Sequence, residues 1–141
     1  MKRVWIISQF ANIPSGSGGT RHYSLAKHLK NNNWNTTIIA GSLEHKTGCQ
    51  RLNTNKQVKL ENVEGIDFLW IKLNPHKSFS LKRRASNMIY FFLKLVFFNL
   101  NKFIQKPDLI IGSSVTPFAA LGGYLLAKKH KVSFIYEVRD L

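Results

Sequence analysis

Short apolar runs alternate along the chain with longer segments whose apolar residues recur at helical spacing. Unbroken apolar runs of this length are typical of strands that are buried on both faces, as in parallel sheets. The runs predict strands over Val4–Ser8, Thr36–Ala40, Ile66–Leu73, Leu109–Gly112 and Ser133–Val138, with a further short strand near Val58. The helical spacing predicts helices over Thr20–Asn32, Leu81–Gln105 and Pro117–His130.

This alternation predicts an α/β fold, a Rossmann-like, doubly wound and mainly parallel sheet. Right-handed crossovers would place Val4–Ser8 at the centre, flanked by Thr36–Ala40 and Leu109–Gly112. The polar stretch from Gly41 to Gly65 is predicted to be an irregular excursion. In such a sheet, ligands bind beyond the carboxyl ends of the strands, near the point where the strand order switches.

The loop after the first strand, Gln9–Gly19, is rich in glycine and serine and leads into a helix. A helix N-terminus beside such a loop presents free backbone N–H groups and the positive end of the helix dipole. We therefore expect an anion, above all a phosphate, to bind there. The candidate binding residues are Gly16, Gly18, Gly19 and Thr20. Turn geometry is the alternative explanation for each single glycine.

Two further loops end at the same predicted edge of the sheet and carry polar side chains. The candidates for lining a cleft with the glycine loop are His22, Ser113, Ser114, Thr116 and Arg139. The carboxylates of Glu137 and Asp140 are candidate catalytic groups, but the sequence assigns the catalytic role to neither. Each feature has a structural alternative, because Thr116 can cap a helix and Glu137 can pair with Arg139.

Several motifs that would define a cofactor are absent. Gly16–Arg21 lacks the third glycine of a dinucleotide-binding turn, and no acid follows the second strand at Ala40. The G-x-x-x-x-G-K-[ST] phosphate-binding loop does not occur either. The single Cys49 and the scattered histidines lack the spacing of metal ligands. We therefore expect neither a metal nor a bound cofactor.

The charge balance points to anionic partners. The 141 residues include 21 Lys and Arg against seven Asp and Glu, a formal net charge of +14. Such an excess favours anionic lipid or phosphorylated ligands. A generally basic surface, or a cationic half that faces an acidic partner domain, is the alternative. Nucleic acid is not expected, because no groove-reading helix motif is present. One cysteine, no signal peptide and no membrane-spanning run together predict a cytoplasmic location.

The predicted helix Leu81–Gln105 combines aromatic residues with cations. Its predicted core-facing stripe consists of Leu81, Ala85, Met88, Phe92, Val96, Leu100 and Phe103. Aromatic and basic side chains then remain for an anionic membrane surface. The candidate membrane-facing residues are Arg83, Arg84, Tyr90, Phe91, Lys94, Phe97 and Phe98. A helix that is buried on two sides, or covered by a partner domain, is the alternative.

Three segments carry a family resemblance. They are Gly16–Tyr23 (GSGGTRHY) with the following Leu25 and Ala26, Asp108–Ala127, and Tyr136–Leu141 (YEVRDL). Together they resemble the GT4-type family of retaining, nucleotide-sugar glycosyltransferases, in particular its bacterial surface-polysaccharide branch. The resemblance covers most of the chain except the excursion between Gly41 and Gly65.

The resemblance implies a GT-B architecture, in which residues 1–141 would form the N-terminal, acceptor-side Rossmann-like domain. The family's donor-binding C-terminal domain, with its Glu-x7-Glu signature, has no counterpart in these residues, so we expect a truncated enzyme. By the resemblance, Gly18 and Gly19 would approach the donor diphosphate, and Arg139 and Asp140 would line the cleft. Where many members carry a catalytic histidine, this sequence has Ser113–Thr116.

The expected function is therefore sugar transfer from a nucleotide-sugar, a co-substrate rather than a cofactor, in cell-surface polysaccharide synthesis. The expected partners are that donor, a lipid-linked glycan acceptor, the inner face of an anionic membrane and the missing C-terminal domain. The isolated chain is expected to be inactive, because one wall of a cleft does not hold both substrates. The alternative is a non-catalytic, membrane- or anion-binding Rossmann-like module from a truncated gene.

Overall fold

The computed structural model describes residues 1–14, 20–44, 48–75, 81–114 and 116–139. Within these residues, six strands form one sheet in the order β3-β4-β2-β1-β5-β6. The strands are β1 (Lys2–Ile7), β2 (Trp34–Gly41), β3 (Val58–Val63), β4 (Ile66–Ile71), β5 (Leu109–Ser113) and β6 (Ser133–Glu137). All neighbours are parallel except β3, which pairs with β4 in an antiparallel hairpin.

The predicted centre of the sheet is confirmed. Trp5 of β1 pairs with Thr37 of β2 on one side and with Ile110 of β5 on the other. Each of these central strands is buried along most of its length, because helices cover both faces. The short strand near Val58 is a full edge strand of the sheet, joined to β4 by a turn in which Glu64 and Gly65 have positive φ.

In the described part of the chain, three α-helices cover the two faces of the sheet. Helix α1 (Arg21–Asn31) packs on one face, where Tyr23 and Ala26 are buried against apolar residues of β1, β2 and β4. Helices α2 (Leu81–Phe97) and α3 (Pro117–His130) cover the opposite face. The structure is thus the mixed α/β, mainly parallel and Rossmann-like fold that the alternation of runs predicted.

Helix α3 lies close to β5, where small residues leave room for it. A Cβ on Gly112 would lie 2.9 Å from the Phe134 ring and 3.2 Å from the Cα of Ala120. A Cβ on Gly123 would lie 3.1 Å from the same ring. These glycines let α3 and β6 approach β5, and the approach sets the positions of the loops that follow both strands.

Helix α2 ends earlier than predicted, and its buried face is also different. The helix stops at Phe97 and a 3₁₀ turn follows at Leu100–Lys102, since Asn99 leaves the helical region with φ −82° and ψ 88°. The buried residues of α2 are Asn87, Phe91, Lys94 and Leu95. Of the predicted stripe only Leu100 is buried, Leu81 is 76% exposed, and Met88, Phe92 and Val96 are half-buried.

The prediction that Phe91 and Lys94 face a membrane is therefore wrong. Packing against α3, with Leu95 close to Gly122, selects a buried face that is shifted by about one residue from the predicted stripe. Phe91 then enters the core with 0% exposure. Lys94 is only 8% exposed because its ammonium group has internal acceptors: Gln57 Oε1 at 2.5 Å and the Lys72 carbonyl at 3.2 Å. An ammonium group is buried only where such oxygens replace water.

Candidate functional site

Polar residues from four elements meet at the carboxyl edge of the sheet. We call them the carboxyl-edge cluster, defined as Ser8, Gln9, Arg21, His22, Ser113, Ser114, Glu137 and Arg139. They come from the ends of β1, β5 and β6 and from the first turn of α1. Parallel neighbours end at the same edge of a sheet, so the order β1-β5-β6 brings these residues together.

The loops after β5 and β6 are joined by a network around Ser114. The Ser114 backbone N–H donates to the Glu137 carbonyl at 3.0 Å. The Ser114 hydroxyl accepts from the Arg139 backbone N–H at 2.6 Å and lies 3.3 Å from the Arg139 carbonyl. This network fixes the backbone on both sides of Glu137. The predicted meeting of the Ser113 and Glu137 loops is therefore present in the structure.

Glu137 occupies the centre of the cluster. Its Oε1 lies 3.3 Å from Arg21 Nε, 3.8 Å from Arg139 Nε and 3.6 Å from His22 Nε2. The Glu137 side chain is 13% exposed, whereas those of Arg139 and Arg21 are 27% and 60% exposed. Two guanidinium groups against one carboxylate leave a net positive charge, which suits an incoming anion.

His22 is nearly buried beside this carboxylate, with 4% of its side chain exposed. Burial lowers the pKa of His22 below 6.5, and the charges of Arg139 and Arg21 lower it further. Glu137 opposes the shift by favouring the imidazolium form, but it does not outweigh burial. At neutral pH the imidazole is therefore uncharged, so that one ring nitrogen can accept a hydrogen bond and the other can donate one.

Several buried polar atoms of the cluster have no hydrogen-bond partner among the described residues. They include Ser8 Oγ, Gln9 Oε1 and Ser113 Oγ. His22 Nε2, Glu137 Oε1 and Arg139 Nε make no hydrogen bond of good geometry either, but they are ion-paired with one another. Ser8, Gln9 and Ser113 are each at most 3% exposed. Buried polar groups in folded proteins are nearly always paired, because an unpaired group loses its bonds to water. Such a concentration at one edge is typical of a site that a polar ligand completes.

Thr116 has a structural task instead. It is 1% exposed, and its hydroxyl accepts from the Ala119 N–H at 3.2 Å, which caps the N-terminus of α3. Thr20 precedes α1, but its side chain makes no capping hydrogen bond. The remaining predicted residues Gly16, Gly18, Gly19 and Asp140 lie outside the described residues.

Arg51 has a structural role beside the site that the sequence did not reveal. Its guanidinium group donates to the Ala11 carbonyl at 3.4 Å and to Asn12 Oδ1, and it lies 5.4 Å from the centre of the Trp70 ring. Burial lowers the pKa of Arg51. The residue holds the loop that leaves β1 in place. No local pattern marks it, because Arg51 lies in a polar excursion 40 residues from Ala11.

The beginning of α2 also reaches this edge. A small hollow there is lined by Gln9, Glu44, Arg84 and Asn87, among others. Arg84, which the sequence placed with the membrane-facing residues, thus lies half-buried beside the carboxyl end of β1. Among the described residues, no three His, Cys, Asp or Glu side chains are grouped as metal ligands would be.

Sequence comparison alone does not classify the chain. No protein-family model matches it, and no curated protein matches it in sequence. The fold does have solved counterparts, because it is a Rossmann-like domain of the kind found in GT-B structures.

Two solved structures carry that comparison. The first is the catalytic domain of starch synthase IV from Arabidopsis thaliana, bound to ADP and acarbose. It matches 99% of this chain with 18% identity and a TM-score of 0.62. The second is the E. coli trehalose-6-phosphate synthase with UDP-2-fluoro glucose, at 94% coverage, 14% identity and a TM-score of 0.54. The chain spans 34% and 32% of those two chains.

Proposed function

We propose that this chain is the acceptor-side domain of a glycosyltransferase that uses a nucleotide-sugar donor. The observation that carries the proposal is the carboxyl-edge cluster, where buried polar atoms lack partners beside Arg21 and Arg139. A sugar hydroxyl can both donate and accept, and so can pair with His22, Gln9 and Ser113. The likeness to two structures that hold ADP or a UDP-sugar supports the same class of ligand.

In this proposal Glu137 is a positioning residue. Its carboxylate is within 4 Å of both guanidinium groups and of His22. The pairs hold Arg21 and Arg139 at the rim of the cleft, where their charge can stabilise a diphosphate leaving group. The neutral His22 imidazole then orients an acceptor hydroxyl. Retention of configuration and membership of the GT4-type family are part of the proposal.

A lipid-linked acceptor is the finer proposal, and α2 supports it. Leu81, Ala85, Ile89, Leu93 and Phe97 recur every four residues and are all exposed, a set that we call the α2 stripe. The side chains of Ile89, Leu93 and Phe97 are 47%, 42% and 79% exposed. Lys82 and Arg83 are exposed beside this stripe. Apolar residues flanked by cations suit the interface of an anionic bilayer, where a lipid-linked glycan resides.

No helix in the described part of the chain is long and apolar enough to cross a membrane. The proposed contact is therefore peripheral, with α2 lying along the bilayer surface. Synthesis of a cell-surface polysaccharide would use this arrangement, because the growing glycan would stay anchored while its end reached the carboxyl edge.

The test is transfer of radiolabelled sugar from UDP- and GDP-sugars to a lipid-linked glycan. The enzyme is the longest encoded polypeptide that contains residues 1–141. We expect Glu137→Gln and Arg139→Ala each to lower transfer at least about tenfold, the loss of one positioned charge pair. Glu61→Gln, on an exposed edge strand, is the matched control. Unchanged transfer in both variants would contradict the proposed site, and the isolated chain is expected to show no turnover.

Absence of any sugar transfer by that polypeptide would instead support a non-catalytic, anion-binding Rossmann-like module. Pyrophosphate titration by calorimetry separates the two outcomes. A module of that kind should bind pyrophosphate at the carboxyl-edge cluster without transferring a sugar.

A further inference from the structure

A second concave site lies at the opposite edge of the sheet, where β1, β2 and β4 begin. This amino-edge hollow has a volume of about 250 Å³, and its lining includes Arg3, Asn35, Thr37, Leu60, Asp67 and Phe103. Ser8 follows Arg3 by five positions, just past the end of β1, a distance of roughly 16 Å at 3.3 Å per residue. The hollow is therefore separate from the carboxyl-edge cluster.

The hollow exists because the helices do not cover this end of the sheet. The buried face of α2 packs on Leu69 and Ile71, toward the carboxyl ends of the strands. Helix α2 ends at Phe97, and the chain after the turn at Leu100–Lys102 runs along one border of the hollow. Among the described residues, none covers the sheet surface between that turn and the β3-β4 hairpin, which lines the hollow.

The sheet surface that lines the hollow is mostly polar, with the buried Trp5 as an apolar member. Asn35 of β2 is paired in register with Arg3 of β1, and Thr37 of β2 with Asp67 of β4. Neighbouring strands are about 4.8 Å apart, so these side chains form a compact array of donors and acceptors. Thr37 is only 8% exposed although it lines the hollow. A packing defect in the apolar core would be lined by apolar side chains alone, whereas this hollow also has polar and charged ones.

The charged members of the array are held in place. Arg3 Nε donates to the Lys106 carbonyl at 2.9 Å, and Nη1 donates to Gln105 Oε1 at 2.9 Å. Asp67 Oδ1 accepts from Asn62 Nδ2 at 2.9 Å. Among the described residues, these bonds use two of the three guanidinium nitrogens of Arg3 and one carboxylate oxygen of Asp67. Because these bonds fix both side chains, a ligand would meet an already ordered surface.

Four apolar side chains also line the hollow: Trp5 and Ile104 are buried, whereas Leu60 and Phe103 are partly exposed. Phe103 is 37% exposed and stacks on Phe98 with ring centres 6.4 Å apart, whereas Leu60 is 43% exposed. An exposed aromatic ring that a second ring holds in place offers a flat apolar wall. The site therefore combines hydrogen-bonding groups of both kinds with an apolar surface at one side.

We propose that the amino-edge hollow binds a sugar residue of a neutral glycan. The charges of Arg3 and Asp67 balance, so that neither an anion nor a cation is favoured. A pyranose presents hydroxyls that pair with Asn35, Thr37 and Asp67, and a C–H face that packs on Phe103. A volume below the roughly 300 Å³ of drug-sized pockets accommodates one sugar unit. Binding here does not require sugar transfer, so the inference stands apart from the proposed function.

The test is a titration of the ¹⁵N-labelled 141-residue chain with maltose, cellobiose and lactose, followed by NMR. We expect saturable shifts of the backbone amides of Arg3, Thr37 and Asp67 with a Kd of about 0.1–10 mM, a usual range for weak ligands. Glucose 1-phosphate is the anionic probe, and it should not bind the hollow more tightly than the neutral disaccharides do. Shifts confined to Ser113–Glu137 with every sugar would overturn the proposal, and so would the absence of saturable shifts.

Variants separate the two sites. Asn35→Ala and Asp67→Asn should each weaken disaccharide binding at least about fivefold, the effect of one lost hydrogen bond to a ligand. Glu61→Gln, on the opposite face of the β3-β4 hairpin, should leave it unchanged. Equal binding by folded Asp67→Asn and wild-type protein would contradict the assignment. The wild-type shift map decides the question if a variant fails to fold.

Discussion

The carboxyl-edge cluster and the α2 stripe deviate from ordinary protein chemistry in opposite ways. At the cluster, Ser8, Gln9 and Ser113 bury polar atoms that have no partner among the described residues. On the stripe, Leu81, Leu93 and Phe97 expose apolar side chains. Folded proteins usually pair their buried polar groups and cover contiguous apolar ones.

The two regions also differ in how firmly the fold holds them. The cluster lies on strand ends that pack against α1 and α3, and its loops are joined by hydrogen bonds. The stripe faces away from the core on a helix whose other side is buried. Changes beneath the cluster should therefore cost folding stability, whereas changes on the stripe should affect only binding to an external surface.

The largest effect is expected from removing the apolar side chains of the stripe. Leu93→Ser combined with Phe97→Ser should lower partition onto anionic vesicles at least about a hundredfold, since each buried side chain contributes about 1.5–3 kcal/mol. Sedimentation with phosphatidylserine-containing vesicles measures the change, and wild-type binding should weaken as salt rises. Ile135→Ser is the matched control, because Ile135 is 49% exposed on the α1 side of the sheet.

If the wild-type chain binds neither neutral nor anionic vesicles, the α2 stripe is a surface that a partner domain covers. The free energy of unfolding should remain within about 0.5 kcal/mol of wild type in the double variant, as is usual for surface substitutions. A larger loss would show that the stripe contributes to the core.

A substitution beneath the cluster should act on stability. Gly112→Val adds atoms where a Cβ alone would be 2.9 Å from the Phe134 ring and 3.2 Å from the Ala120 Cα. We expect the free energy of unfolding to fall by about 1–3 kcal/mol, the usual cost of overpacking. Denaturant unfolding followed by circular dichroism measures it. Ser133→Val places the same side chain at an exposed position of β6 and should cost little. Equal losses in both variants would contradict the packing argument.

Removing the central charge of the cluster should have a smaller effect. Glu137→Gln keeps the shape of the side chain but leaves Arg21 and Arg139 without their carboxylate. We expect a loss of about 1 kcal/mol in the free energy of unfolding, because both guanidinium groups are partly exposed and screened by solvent. Glu61→Gln is the control, since Glu61 has an exposed lysine at 4.0 Å. A loss of the same size in the control would mean that the cluster has no special electrostatics.

The smallest expected effect is a pH dependence of stability that arises from His22. Its pKa is lowered below 6.5 in the folded chain, so the unfolded chain binds more protons just below that pH. Stability should therefore be complete above pH 6.5 and fall as the pH decreases through the lowered pKa. Denaturation between pH 5 and 8 should show a flatter profile for His22→Gln than for wild type.

A matched control is available on the same helix. His28 is exposed, and His28→Gln should keep the wild-type pH profile. Burial also lowers the pKa of His130, so part of the pH dependence should persist in every one of these proteins. Identical profiles for His22→Gln and wild type would mean that protonation of His22 is tolerated inside the cluster.

The sheet could be predicted from the sequence because its strands are nearly continuous apolar runs. Val4–Ile7 and Ile110–Ile111 are buried on both faces, and continuous apolar runs of this length are typical of central strands in a parallel sheet. The N-cap of α3 could also be predicted, because Thr116 followed by Pro117 is a local signal for the start of a helix. Both features depend on residues that are adjacent in sequence.

Helix α2 illustrates where that reasoning fails. Apolar residues occur around most of the helix, so periodicity alone allowed more than one buried face. Contact between Leu95 and Gly122 of α3 selects the face that includes Phe91. Lys94 is buried because Gln57 lies 37 residues away in sequence but within hydrogen-bond distance. The sequence of α2 contains no sign of either partner.

For the candidate site, the sequence by itself determined which loops end at the carboxyl edge, because strand order and parallel direction follow from the alternation of runs and helices. Only the tertiary structure decided that Glu137 meets Arg21 and His22, that Arg51 holds the loop after β1, and that the amino edge contains a hollow. The physical reason is that backbone patterning acts over a few residues. Unpaired polar atoms, balanced charges and concave surfaces arise instead between elements far apart in the chain.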